Sequence, residues 1–173
     1  MPCLVYSKTK TEILCRIQPA SQVSVLGAYV GQQGISRKFV DADAALAYGD
    51  LASMAGSPKL ALQFETSYTE ADTSGNLFQG WFTAPETTNY RFYMACDDFC
   101  RLNLGDTPNN ISPVTRILDI TSNQGNRDYW NPTDNMIRIS DWVALTAGEK
   151  YYIEALHIEG SGADHLSVSV EIE

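Results

Sequence analysis

Basic residues are scarce in this sequence, and long apolar runs are missing from it. The chain has 12 Lys and Arg against 21 Asp and Glu, a formal net charge of −9. Nucleic-acid binding needs clustered Lys and Arg, so that class is excluded, and cations are the more natural small partners. No stretch approaches the roughly 18 apolar residues that span a bilayer, and the N-terminus lacks the charged-then-apolar order of a signal peptide. We expect a soluble chain without membrane insertion, either a mature product or a segment of a longer protein.

Cysteine is also sparse, and its four copies fall into two local pairs, Cys3 with Cys15 and Cys96 with Cys100. This arrangement is typical of short-range disulfides in an oxidising compartment. Zinc binding is the alternative, but the spacings are not of the C-x-x-C type and neither histidine lies near a pair in the sequence. The sequon Asn110-Ile111-Ser112 predicts N-glycosylation, which agrees with an extracellular, secreted or surface-anchored protein.

Alternating apolar and polar residues indicate an all-β protein. With 173 residues and 44% hydrophobic content, the chain can bury one substantial core. Only residues 41–55 suggest a short helix or loop. Turn-forming residues separate nine predicted strands, which is the pattern of an antiparallel sandwich or barrel. These strands are residues 60–64, 77–82, 90–95, 101–104, 115–120, 136–139, 142–145, 151–158 and 166–172.

The chain is organised around residues 90–105, where two alternating runs flank a short loop. Cys96 and Cys100 close this loop, and Asp97 and Asp98 lie at its tip. Two adjacent carboxylates repel each other, so a tight loop that holds them supplies a cation, a cluster of hydrogen-bond donors or free access to water. The loop is therefore the first candidate for a functional site.

A second pattern occupies the N-terminus, where residues 3–17 read as strand, polar turn and strand with a cysteine in each arm. This piece resembles the closing hairpin of an immunoglobulin-like IPT/TIG domain, of which the remainder is missing. We expect residues 1–30 to be such a hairpin with a linker, and residues 31–173 to form the main domain.

The main domain shows an ordered series of motifs: a Gly-aromatic strand, Ala-Pro, Tyr-x-Phe, paired Asp and Leu-x-Leu. They are Gly80-Trp81-Phe82, Ala84-Pro85, Tyr90-Arg91-Phe92, Asp97-Asp98 and Leu102-Asn103-Leu104. The series resembles the protective-antigen (PA14) domain, which implies a jelly-roll-like antiparallel β-sandwich over about residues 31–173. The flanking cysteines and residues 159–166 are most similar to the version found in fibrocystin and fibrocystin-like receptors, where the module follows IPT/TIG repeats.

The resemblance implies a chemistry for the paired acids. In yeast adhesins that share the fold, two adjacent aspartates joined by a cis peptide bind Ca²⁺, which coordinates two hydroxyls of a terminal sugar, and a second loop adds an Asn and backbone carbonyls. Carried over to this chain, the second loop is 159–163, and Glu159 stands in the place of the Asn. A carboxylate can also ligate Ca²⁺, with altered charge and reach. The implied metal ligands are Asp97, Asp98 and Glu159, and the implied ligand-binding residues are Trp130, Ser161 and Asp164.

Other uses of these residues remain open. Many proteins of this fold carry the paired Asp without binding any sugar. In this chain the corresponding arrangement has one Asp capping backbone amides of the neighbouring loop while Arg101 offsets the charge. His157 and His165 lie near the second loop in sequence, either as ligands or as satisfied structural residues. If the paired Asp has only a structural role, the chain is a structural subunit of an extracellular assembly. Its partners are then neighbouring domains or further copies of the chain in a homo-oligomer, rather than a glycan.

Catalysis is the least supported class. The sequence has no glycine-elbow serine and no cysteine–histidine arrangement of an activated nucleophile. The adjacent Asp97 and Asp98 cannot flank a scissile glycosidic bond from opposite sides, which requires carboxyl groups at least about 5 Å apart. We therefore predict a non-enzymatic adhesion or assembly module.

The first testable prediction concerns the disulfides. Cys3 should be bonded to Cys15, and Cys96 to Cys100, because each pair is local and the hairpin arms bring its members together. Mass spectrometry after non-reducing digestion reports the linked peptides directly. Free thiols at all four positions contradict the extracellular assignment.

Overall fold

The computed structural model describes residues 34–42, 46–53, 56–67, 70–129 and 138–173. The predicted hairpin with its cysteine pair, Cys3 and Cys15, and the candidate ligand residue Trp130 lie outside these residues. Within them the chain forms one short helix and nine strands. The elements are β1 (Ile35–Asp41), α1 (Asp50–Ser53), β2 (Lys59–Ala61), β3 (Ser74–Thr83), β4 (Thr88–Asp97), β5 (Phe99–Gly105), β6 (Val114–Ile120), β7 (Val143–Leu145), β8 (Lys150–Ile158) and β9 (His165–Ile172).

The strands form two antiparallel sheets that pack face to face. The larger sheet has the order β2-β1-β3-β8-β5-β6, and the smaller has the order β7-β4-β9. One apolar cluster receives side chains from both sheets and forms the core. The prediction of an all-β antiparallel sandwich is therefore confirmed. Across the described ranges no helix is long and apolar enough to cross a membrane.

Aromatic side chains build the centre of the core because alternate residues of each strand point inward. Phe82 of β3 meets Tyr90 and Phe92 of β4, with ring centroids 5.5 Å apart in both pairs and nearly perpendicular planes. All three side chains are essentially buried. These contacts join the two sheets, which explains why the aromatic residues of the sequence recur at period two.

A smaller apolar cluster covers the outer face of the larger sheet. Leu51 of α1 packs there against Val40, Leu77 and Ile158. The helix is only four residues long, within the region 41–55 where a short helix or loop was predicted.

Most strand boundaries differ from the sequence prediction by a few residues, and β1 was not among the nine predicted strands. The strand predicted at 60–64 ends at Ala61, because the chain then bends and Leu62 is 74% exposed. The strand predicted at 77–82 begins earlier, at Ser74. Of the strand predicted at 136–139, only the last two residues are described, and Ile139 makes an isolated bridge to Tyr93.

The sandwich brings three connections together at one end. They are the β4–β5 turn, the β8–β9 loop and the segment 70–73 that leads into β3. The β5–β6 loop lies at the other end, where the Asn109 amide donates to the Lys150 carbonyl at the start of β8. Since β8 runs from Lys150 to Ile158, its length of about 30 Å separates the two ends.

The core predicts a clear contrast between two apolar truncations. Phe82→Ala should lower the free energy of unfolding by about 3–5 kcal/mol, because it removes a buried ring and leaves a cavity between the sheets. Leu62→Ala, at an exposed position, should change it by no more than about 0.5 kcal/mol. Urea denaturation followed by far-UV circular dichroism measures both. Equal effects at the two positions contradict the described core.

Candidate cation site

The paired aspartates lie at the turn between β4 and β5. Asp97 is the last residue of β4, and β5 begins at Phe99. Cys96 and Cys100 form a disulfide across this turn, as the sequence predicted. The peptide bond between Asp97 and Asp98 is cis, as the resemblance to the PA14 fold implied. The sequence motif and the local geometry therefore agree.

Glu159 approaches the pair from the β8–β9 loop. Its amide donates to the Ser74 carbonyl at 2.9 Å, which fixes the residue just beyond the end of β8. One carboxylate oxygen from each of Asp97, Asp98 and Glu159 lies within 4.8 Å of the others. Glu159 is 1% exposed, and neither of its carboxylate oxygens has a hydrogen-bond partner among the described residues. A buried, unpaired carboxylate is costly, so this group fits a bound cation.

Hydrogen bonds hold the second loop beside the paired acids. The Gly160 amide donates to Asp98 Oδ2 at 2.9 Å, and the Gly160 carbonyl accepts from the Thr73 amide at 2.8 Å. The Gly162 amide donates to Asp72 Oδ1 at 3.0 Å. A Cβ added to Gly160 would lie 2.8 Å from Asp98 Oδ2, so only glycine leaves this carboxylate undisturbed. Asp98 thus caps the neighbouring loop while remaining part of the acidic cluster.

The acids raise one another's pKa. Burial, followed by the charge of Asp98, raises the pKa of Asp97 to about 6. Burial and then the charges of Asp98 and Asp164 raise the pKa of Glu159 to about 7. Both shifts have the same origin: no positive group in the described part of the chain compensates the carboxylates, while desolvation favours their neutral forms. A divalent cation reverses this balance and stabilises the ionised forms.

Asp164 is a fourth acid near the cluster. It is 1% exposed, its Oδ1 accepts a hydrogen bond from the Glu70 amide, and its Oδ2 has no partner among the described residues. Its charge contributes to the raised pKa of both Asp97 and Glu159. Ser161 is exposed on the same loop. The predicted residues of the second loop therefore lie on the connection that carries Glu159, whereas Asn110 lies exposed at the far end of the sandwich.

The two histidines are structural rather than exposed to a ligand. His157 is fully buried, with Nε2 at 2.6 Å from the Asp97 carbonyl oxygen and Nδ1 at 3.2 Å from Asn76 Nδ2. Both ring nitrogens are therefore engaged, and burial lowers the pKa of the ring. His165 is also buried, which lowers its pKa, and a hydrogen bond with the backbone of Gly125 opposes this shift.

Arg101 does not offset the charge of the paired acids, in contrast to the expectation from sequence. Its Nε donates to Asp119 Oδ1 at 3.0 Å, and its guanidinium lies 4.0 Å from the centroid of the Tyr48 ring. The reason is strand alternation: Cys100 and Leu102 point into the core, so Arg101 points to the opposite face of the sheet. The acidic cluster thus lacks the cation that sequence proximity suggested.

Several residues of the site were missed from the sequence. Glu70 and Asp72 precede β3, and Asn76 occupies a buried position within it. Asn76 alternates with Phe78 and Phe82 on the inner face of β3, so a polar residue in a core register was the available signal. The acids before the strand carried no such signal, because only the tertiary fold brings them to the β8–β9 loop.

The arrangement suits a hard cation. Ca²⁺ takes about 6–8 oxygen ligands at about 2.3–2.6 Å and accepts irregular carboxylate geometry. Asp97, Asp98 and Glu159 supply such oxygens, and the unpaired oxygens of Glu159 give the fit its strongest support. Neither His157 nitrogen is available, which disfavours metals that prefer imidazole.

Known structures share this fold. The chain is similar to the PA14 domain of the antifreeze protein MpAFP, with a TM-score of 0.61 and 10% identity over 81% of this chain and 82% of that chain. It is also similar to the A domain of Epithelial Adhesin 6 from Candida glabrata, solved with Galβ1-3GlcNAc, with a TM-score of 0.54 and 15% identity over 91% and 85%. The expectation of a PA14-like β-sandwich is thus confirmed.

The same fold occurs inside larger enzymes. A β-glucosidase from Kluyveromyces marxianus matches 91% of this chain with a TM-score of 0.57 and 13% identity, but the match spans only 17% of the glucosidase. No protein-family profile and no curated protein sequence matches the chain. Structural similarity at identities this low shows a shared fold alone, so function has to be argued from the site.

The raised pKa values predict how the stability of the metal-free protein depends on pH. Glu159 titrates at about 7 in the folded state and ordinarily at 4.5. Because the folded state holds its proton more tightly, the stabilisation is complete below the ordinary value and is lost as pH rises through the folded value. Asp97, whose pKa is raised from 3.8 to about 6, adds a similar loss of stability between those two pH values. In the presence of a chelator, the free energy of unfolding should therefore fall across this window.

Urea denaturation at a series of pH values up to about pH 8 measures this loss. Glu159→Gln should flatten the profile because the amide imitates the neutral acid. Asp106→Asn removes an acid at the far end of the sandwich and should leave the profile of the parent unchanged. An identical profile for parent and Glu159→Gln contradicts the description of Glu159 as a buried, uncompensated acid.

Proposed function

We propose that this chain is an extracellular, non-enzymatic adhesion module that binds Ca²⁺ at Asp97, Asp98 and Glu159 and uses the ion to hold a glycan. The observation that carries the proposal is the Glu159 carboxylate, which is 1% exposed, faces the paired aspartates and has no hydrogen-bond partner among the described residues. A structural acid in that position is expected to have a donor or a counter-ion. A bound cation supplies the counter-ion.

Each acid has a distinct part in this proposal. Asp97 and Asp98 present adjacent carboxylates from a turn that a disulfide closes, so their relative positions are restricted. Glu159 approaches from a different connection, so cation binding joins two loops that are otherwise linked by the Gly160 amide and Asp98. The remaining ligands of the ion are loop carbonyls, water and ligand hydroxyls.

Glycan binding is the use of the ion that the fold favours. The Epithelial Adhesin 6 domain, which shares this architecture, was solved in complex with Galβ1-3GlcNAc. A cation at the surface end of the sandwich can exchange water for two neighbouring sugar hydroxyls. Ser161 on the second loop and Trp130 on the 121–135 connection are the residues that we propose to contact the sugar. Asp164, predicted as a third, is 1% exposed, so we propose that it acts on the site through its charge.

The disulfide and the exposed sequon support an extracellular setting for the module. The Cys96–Cys100 bond agrees with an oxidising compartment. Asn110 is exposed, so a glycan attached there would project from the end opposite to the cation site. We further propose that the module belongs to a fibrocystin-like surface protein in which IPT/TIG domains precede it, as the N-terminal hairpin motif indicates.

A second candidate function is a structural subunit of an extracellular assembly with no ion at the paired aspartates. The observation that favours it is the 2.9 Å hydrogen bond from the Gly160 amide to Asp98 Oδ2, which already gives one acid a structural role. In that case the partners are neighbouring copies or domains. The two functions differ in one measurable property, the response of the protein to Ca²⁺.

The prediction is that Ca²⁺ stabilises the parent and not a variant without the paired carboxylates. At a ~100-fold excess over Kd, an ion that binds only the folded state adds about 2.7 kcal/mol to the free energy of unfolding. Asp97→Asn combined with Asp98→Asn should abolish both this shift and the heat of binding in calorimetry. No shift of the parent at millimolar Ca²⁺ rejects the cation site in favour of the assembly function.

A matched pair of glycine variants tests the geometry of the site more finely. Gly160→Ala should weaken Ca²⁺ binding because its Cβ would lie 2.8 Å from Asp98 Oδ2, whereas Gly49→Ala, where the Cβ meets nothing within 4 Å, should not. For the glycan, saturation-transfer NMR with Galβ1-3GlcNAc as the probe should give a signal that disappears on addition of EDTA. Binding that persists in EDTA contradicts a bridging ion.

A further inference from the structure

We propose that a chain of hydrogen bonds from Arg37 through Asn76 and His157 to the Asp97 carbonyl positions the paired aspartates for cation binding. Arg37 lies on β1, Asn76 on β3 and His157 on β8. These three residues are positioning residues, since none of them supplies an oxygen to the acidic cluster. The inference rests on the proposed function of that cluster.

The direction of every bond in the chain is fixed by the first residue. A guanidinium only donates, and Arg37 Nε lies 2.8 Å from Asn76 Oδ1, so that oxygen is the acceptor. The amide nitrogen of Asn76 therefore points the other way and donates to His157 Nδ1 at 3.2 Å and to Glu70 Oε2 at 3.1 Å. Since Nδ1 of the neutral ring accepts, the ring proton must be on Nε2.

His157 connects this series of hydrogen bonds to the turn that carries the paired aspartates. Its Nε2 donates to the Asp97 carbonyl oxygen at 2.6 Å. That carbonyl belongs to the peptide group that joins Asp97 to Asp98, so holding it fixes the plane from which both carboxylates project. Asn76 and His157 are both fully buried, so water does not compete for these bonds.

Glu70 extends the chain to the other side of the site. Its carboxylate accepts from Arg37 and from Asn76, and its backbone amide donates to Asp164 Oδ1. The ion pair between Arg37 of β1 and Glu70 thus orients both the turn with the paired aspartates and the loop that carries Asp164. Groups of this kind behind metal ligands typically change metal affinity by about 10- to 100-fold when they are altered.

Two substitutions of His157 distinguish the two ends of its ring in the hydrogen-bond chain. His157→Gln places an amide near the position of Nε2 and can still donate to the Asp97 carbonyl, whereas His157→Asn places its amide near Nδ1 and cannot reach it. Both variants lose the buried ring, so both should lose thermal stability to a similar extent. We expect His157→Asn to weaken Ca²⁺ binding roughly tenfold or more in calorimetry, and His157→Gln to retain most of the affinity.

The tautomer provides a readout that does not depend on the metal. Long-range ¹H–¹⁵N spectra of the parent, which has only two histidines, should show His157 as the neutral ring with its proton on Nε2. Asn76→Asp replaces the donor to Nδ1 with an acceptor, so the His157 ring of this variant should carry a proton on Nδ1 in the same spectra. A parent ring protonated on Nδ1 alone overturns the proposed direction of the chain.

The outcomes distinguish this inference from the proposed function. If the parent binds Ca²⁺ and the two His157 variants bind it equally well, the chain has no positioning role and the inference fails alone. If the parent has the expected tautomer but binds no Ca²⁺, the proposed function fails and the positioning role for a cation fails with it. Weaker binding by His157→Asn only, with matched stability of the two variants, supports the inference.

Discussion

Burial of acidic groups without a compensating positive charge is the constraint on which this end of the sandwich depends. Glu159 and Asp164 are each about as inaccessible as the core residues, and both lie beside the paired aspartates. Desolvation and mutual repulsion raise the pKa of Glu159, which is the signature of a cluster that prefers either a proton or a cation. The disulfide, the turn and the second loop hold the acids together against this repulsion.

Neutral donors stabilise the cluster while the described basic side chains around it pair elsewhere. Arg37 is paired with Glu70, and Arg101 with Asp119. Backbone amides donate instead to the carboxylates of Asp98 and Asp164, and the His157 ring contacts the backbone carbonyl of Asp97. None of these contacts cancels the charge of the acids. In a protein with a formal net charge of −9, the result is a local negative potential that attracts cations.

The same sandwich serves different proteins, so the site carries the functional argument. An antifreeze-protein domain, a fungal adhesin domain and part of a β-glucosidase all share the architecture with this chain. What distinguishes the present site is its third carboxylate, where the resemblance to yeast adhesins implies an amide. A carboxylate in place of an amide adds one negative charge, which strengthens the attraction of the site for a cation.

The sequence by itself determined most of the strands, the local disulfide and the paired aspartates, because alternation at period two and short-range motifs are properties of neighbouring residues. The alternation predicted over residues 90–95 agrees with the burial of Tyr90 and Phe92 in the core. Only the tertiary structure decided that Asn76 and Glu70 reach the site, and that Arg101 faces away from it. Those outcomes depend on which strands are neighbours in the sheet and on which connections meet at its end, and residues up to 94 positions apart in the chain make these contacts.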